Sequence, residues 1–151
     1  IDPQEFVHAC TPIEFQKHIA SARTFAFRKE VEFLWSRGLG LGGSLLNTVV
    51  FSDTDLVNEG GLRFADECVR HKILDLLGDL SLLGLPVIGH FEARCSGHWL
   101  HAELVKTIKN QPEKWILFNA GTQTKNDITA ATHMSAPVSF LPDLQPAFQT
   151  L

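Results

Sequence analysis

His71 and Asp75 stand four residues apart in an apolar-periodic segment, so on a helix their side chains lie about 40° apart around the axis and one turn from each other. Imidazole and carboxylate both suit a divalent metal such as zinc, and a catalytic zinc takes three protein ligands and keeps one position for water. Two ligands do not make a site. On spacing alone, an exposed ion pair or hydrogen bond is the commoner use of a His-x-x-x-Asp pair. Asp79 extends the same face by four more residues and Lys72 flanks His71. The segment therefore carries more polar groups than packing needs, as expected either for a cleft that gathers ionisable groups or for a helix with one solvated face. Ser96, Gly97 and His98 join an alternating segment to a helical one, a junction from which side chains commonly enter a site. His8, His18, His90, His101 and His133 show no ligand spacing with His71 and read as surface or locally hydrogen-bonded residues. If the chain carries a third metal ligand of its own, His8, His98 and His101 are the first to test.

The elements that must position these residues follow from periodicity and punctuation. Thr11 as N-cap, Pro12 in the first helical position and Glu14 completing a capping box predict a helix over about 12–22. Residues 23–27 alternate and should be extended, residues 29–36 are helical up to Gly38, and the β-branched run at 45–51 reads as a strand after a glycine-rich link at 40–43. The longest periodic segment, about 65–83, is the expected core helix, ended by Gly84. Residues 86–95 alternate like a strand, and residues 98–110 read as a further helix. No pattern persists beyond Phe118, so 119–151 is expected to be a tail of uncertain order.

Composition narrows the function. With 151 residues, 44% of them hydrophobic, the chain suffices for one domain with a sizeable core. The formal net charge of −4 comes from intermixed charges with no basic run, which argues against a nucleic-acid partner. No apolar stretch is long enough to span a bilayer, no signal segment opens the chain, and the cytoplasm is the expected address. Cys10, Cys68 and Cys95 have no CxxC spacing and are expected to be buried thiols. Ile1-Asp2-Pro3 carries no start signal, which suggests a piece of a longer polypeptide.

Six segments in order, Ala22-Arg23-Thr24-Phe25, Ser36-Arg37-Gly38-Leu39, Gly42-Gly43-Ser44, Leu62-Arg63-Phe64, the run from Arg70 through His71, Asp75 and Asp79 to Leu80, and Ser96-Gly97-His98, resemble one family. It is the zinc-dependent UDP-3-O-acyl-N-acetylglucosamine deacetylase family of lipid A synthesis, LpxC, and the match covers about residues 11–110. The resemblance implies an α+β fold, a two-layer sandwich of a small sheet packed with helices, with a βαβ insert at about 23–52. It makes residues 1–118 the second of two similar domains. It implies that His71 and Asp75 ligate zinc, that His98 is general acid or electrostatic stabiliser, and that Asp79 orients His98. Thr24 would stabilise the oxyanion, Lys72 would contact the polar head of the UDP-linked, acylated glucosamine substrate, and Phe25 would stack on the sugar. Val31, Leu34, Leu39 and Leu46 of the insert would border an acyl passage, or simply pack a short helix on a hairpin.

The family's third zinc ligand, a histidine, and its glutamate base belong to the first domain, and nothing here corresponds to them. The expectation is a chain inactive alone, active with that first domain, with a large apolar patch where the two would pack. A Gram-negative-type bacterium is the implied source. The competing expectation is a noncatalytic or truncated homologue that binds lipid or protein.

Overall fold

The structure, a computed structural model, describes residues 2–117. The 119–151 tail and His133 therefore lie outside the described residues. The chain forms two compact units, one ending at Gly78 and one beginning at Asp79. The described elements are helices with a small two-stranded parallel sheet, an α+β arrangement.

In the first unit, α1 (Pro12–His18) starts as its sequence dictates, with Thr11 Oγ1 accepting from the Glu14 N–H at 3.2 Å. The Glu14 carboxylate does not close the expected box; it lies 3.5 Å from His18 Nε2. The helix also stops at His18, short of the 22 expected. Ile19 is fully buried and Ala22 nearly so, and the chain must turn there to deliver Arg23 to its buried partner.

β1 (Thr24–Phe27), α2 (Arg28–Ser36) and β2 (Thr48–Phe51) form a βαβ unit within the expected 23–52. The strands are parallel, with Thr24 opposite Thr48 and Phe27 opposite Phe51. β2 is shorter than its β-branched run suggested. Asn47 takes the preceding residues into a turn, accepting from the Ser44 N–H at 2.8 Å and donating to the Gly42 carbonyl at 3.0 Å. Buried Asn58 then locks the start of β2, accepting from the Val50 N–H at 2.8 Å and donating to the Leu45 and Thr48 carbonyls. Such full use of a buried amide replaces the water it gave up.

α3 (Glu67–Leu80) is the expected core helix, and a 3₁₀ turn, Ser81–Leu83, finishes the periodic segment. Gly84 ends it at φ 82°, with its N–H on the Ser81 carbonyl. Arg70 binds Asp66 and the His18 carbonyl, while its guanidinium sits 4.0 Å from the Phe6 ring and 4.4 Å from the Phe64 ring. One side chain thereby ties the N-terminal segment, α1 and α3 together.

In the second unit, residues 86–95 form no strand, contrary to their alternation. Val87, Ile88 and Phe91 are exposed, and Cys95 adopts a left-handed φ of 48°. A strand exists through its ladder partner, and these residues have none among those described. α4 (His98–Asn110) has the expected bounds, with Gly97 extended at its N-cap and His101 and Val105 buried. Lys109 Nζ donates to the Leu82 carbonyl at 2.8 Å, and Trp115 Nε1 donates to the Ile108 carbonyl at 2.8 Å. The cysteines correct a further expectation: Cys68 is buried, but Cys10 and Cys95, both in irregular segments, are exposed.

Candidate functional site

The first unit positions its chemistry through a buried ion pair that the sequence reading did not single out. Glu67, fully buried in the first turn of α3, accepts from the Arg23 N–H at 2.9 Å, Arg23 Nε at 2.8 Å and Arg23 NH2 at 3.0 Å, and from the Arg63 N–H at 2.7 Å. Burial alone would raise its pKa, yet the bonds from Arg23 and Arg63 outweigh it and hold the carboxyl below its ordinary value. Arg23 completes itself on the Leu45 and Gly61 carbonyls. The residue before Arg23 is therefore fixed over the next turn of α3, where the Ala22 carbonyl meets His71 Nδ1 at 3.0 Å.

That contact decides the tautomer. A carbonyl can only accept, so Nδ1 carries the proton and Nε2 faces the other way, 3.2 Å from Asp75 Oδ1. A lone pair and a carboxylate oxygen so disposed repel unless a proton or a cation stands between them. Lys72 Nζ holds the other oxygen, Asp75 Oδ2, at 2.9 Å. His71, Lys72 and Asp75 are thus brought together on one face of α3. The nitrogen and oxygen donors fit two positions of a zinc shell, with the backbone carbonyl behind the imidazole as its orienting partner.

Thr24 and Phe25 follow Arg23 on β1, Thr24 exposed and Phe25 half-buried. The exposed Phe33, Leu34, Trp35, Leu39, Leu41 and Leu46 give the βαβ unit and its glycine-rich link an apolar surface.

The second unit holds its own cluster. Asp79, in the last turn of α3, has Oδ2 at 2.7 Å from His98 Nδ1 and at 2.7 Å from His101 Nδ1, both on the first turn of α4. His101 Nε2 lies 2.8 Å from Ser96 Oγ. Burial would raise the Asp79 pKa, but the bonds from His101 and His98 prevail and hold it below its ordinary value. As an anion, Asp79 requires Nδ1–H on both rings. The ligand atoms of Asp79, His98 and His101 lie within 4.8 Å of one another, close enough to hold a metal ion.

Of the two alternatives expected for His101, surface or locally hydrogen-bonded, the structure shows the second, through Ser96. It is 2% exposed, whereas His98 is 70% exposed. The available signal was the spacing of His98 and His101, three residues apart on one helix face.

A family model for UDP-3-O-acyl N-acetylglycosamine deacetylase, LpxC, matches residues 1–110. Among curated relatives, the UDP-3-O-acyl-N-acetylglucosamine deacetylase of Oleidesulfovibrio alaskensis is 53% identical over 106 residues, 70% of this chain and 35% of that protein. The protein of that name from Syntrophus aciditrophicus is 52% identical over 101 residues, 67% of this chain and 32% of the relative. That of Syntrophotalea carbinolica is 46% identical over 122 residues, 81% and 40% of the two chains. The chain thus spans between 32% and 40% of the length of these relatives.

Proposed function

The chain belongs to the LpxC family of UDP-3-O-acyl N-acetylglycosamine deacetylases, and from that premise we propose that it supplies part of a zinc-dependent active site that removes the N-acetyl group of UDP-3-O-acyl-N-acetylglucosamine in lipid A synthesis. The observation that carries this reading is the His71–Asp75 pair, with Nε2 and Oδ1 facing each other and Nδ1 fixed by the Ala22 carbonyl. The chemistry that zinc supplies when bound is Lewis acidity at the amide carbonyl and at the attacking water. The third ligand and the carboxylate that takes the water's proton come from a first domain, which packs against this chain as its second domain in the cytoplasm.

The remaining roles fall to the chain's own side chains. Water attacks the acetyl carbon, the C–N bond breaks, and acetate and a free amine leave. Thr24 donates its hydroxyl hydrogen bond to the developing oxyanion. His98, held at Nδ1 by Asp79, gives the amine its proton from Nε2. Lys72 meets the polar head of the substrate and Phe25 stacks on its sugar. The exposed Leu34, Leu39 and Leu46, with half-buried Val31, border the acyl chain; their exposure supports this over ordinary internal packing of the insert.

Calorimetric zinc titration of the wild-type chain and of His71→Ala, each with and without a relative's first domain, tests the reading. Tight binding that needs both His71 and the first domain is the expected result. Tight binding by this chain alone would place a third ligand within it, and no binding in either case would favour a noncatalytic module.

A further inference from the structure

We propose that His101 is a positioning residue for the general acid: its buried imidazole holds Asp79 Oδ2 where that oxygen can accept from His98 Nδ1, and Ser96 holds the ring of His101 from behind. The inference rests on the reading of His98 given above, and it adds two residues to which that reading gives no part.

Consider His98 without its neighbour. Its ring is 70% exposed and sits in the first turn of α4, so little packing fixes its rotamer or tautomer. Its hydrogen bond to Asp79, at 2.7 Å, restrains both. Asp79 is useful for that only if its carboxylate is itself held. His101 meets the same oxygen at 2.7 Å from a site that is 2% exposed, and its far nitrogen meets Ser96 Oγ at 2.8 Å. The order of restraint runs from the buried end outward: Ser96 to His101, His101 to Asp79, Asp79 to His98. The two rings stand nearly edge-on, at 81°, so each reaches the shared oxygen without stacking on the other. Support of this kind, one or two bonds removed from the reacting atoms, sets the orientation and tautomer of a working imidazole.

The substitutions that test it are set by atom placement. In Asn the amide nitrogen falls where His Nδ1 was, so His101→Asn keeps the donor to Asp79. In Gln the amide falls nearer Nε2, so His101→Gln keeps polarity and size but aims toward Ser96. The tautomer of His98 is read by long-range ¹H–¹⁵N NMR on the chain in wild type and both variants, with circular dichroism confirming the fold. The Nδ1–H form should dominate in wild type and His101→Asn and be lost in His101→Gln. In an enzyme containing both domains, kcat should fall about tenfold or more for His101→Gln at nearly unchanged KM, and be largely restored in His101→Asn.

An unchanged His98 tautomer in both variants overturns the proposal, as does its loss in both, since the Nδ1 donor would then not be what matters. If the NMR pattern holds but the two-domain protein does not deacetylate, the deacetylase reading fails and the positioning of His98 by His101 stands.

Discussion

Glu67 shows how much of this molecule turns on one carboxylate. It has no exposure and accepts from both Arg23 and Arg63. Its partner Arg23 is 8% exposed, so removing the negative charge strands a buried cation. Glu67→Gln should cost about 3–5 kcal/mol at neutral pH, measured by urea unfolding. The Glu67 pKa is lowered on folding, so its contribution is complete above the ordinary value of 4.5 and is lost as pH falls through the folded value. The gap between wild type and Glu67→Gln should therefore narrow in acid; a gap independent of pH would mean that the charge of Glu67 does not stabilise the fold. If His71 ligates zinc as proposed, the same substitution should also weaken zinc binding, by loosening the Ala22 carbonyl from His71. Little of this was legible in the sequence. His71 and Asp75 declare themselves by spacing along one helix, whereas Arg23 and Glu67 are 44 residues apart, and only folding makes them partners. His101 is the intermediate case: its spacing from His98 was visible, but the carboxylate that gives the spacing meaning comes from another helix.

At the scale of elements, chain punctuation is reliable where the signal is local. Thr11, Gly38 and Gly84 act where their chemistry says they should. Gly84 has φ 82° and open space where a Cβ would go, so Gly84→Ala should cost about 1–2 kcal/mol of backbone strain alone, and Gly84→Asn clearly less. Thermal unfolding of the two variants checks this; equal losses would mean that φ is not the determinant. Thr11→Ala removes a cap from a seven-residue helix and should cost about 1 kcal/mol, visible as faster amide exchange at Glu14. Exchange unchanged from wild type would show that Pro12 alone sets the helix start. Where the outcome depends on a distant partner, periodicity misleads. Residues 86–95 alternate as a strand would, but an alternating pattern supplies side-chain faces and not the second strand that must bind the backbone. The overlong readings of α1 and β2 have a related cause. Both segments keep their apolar pattern past the point where a buried side chain, Ile19 in one case and the amide of Asn58 in the other, sets the course of the chain.

For the whole molecule, the proposed function makes zinc and the first domain two ligands of one chain, and their effects must then be reciprocal. If the first domain supplies the third zinc ligand, zinc must raise the affinity for that domain by the same factor by which the domain raises the affinity for zinc. Both quantities are measurable: zinc titration with and without the first domain, and first-domain titration with and without zinc. Equal factors, both reduced to one by His71→Ala, are the expected outcome. In thermal unfolding, zinc at about 100 times its Kd should add about 2.7 kcal/mol to the complex and much less to the chain alone. Carrying His101→Gln through the same experiment separates the two histidine clusters. A zinc held by His71 and Asp75 should leave the factors unchanged in that variant, whereas a zinc held by Asp79, His98 and His101 should lose its stabilising effect there. Unequal factors, or stabilisation by zinc that ignores His71, would mean that the metal and the first domain do not meet at the site proposed.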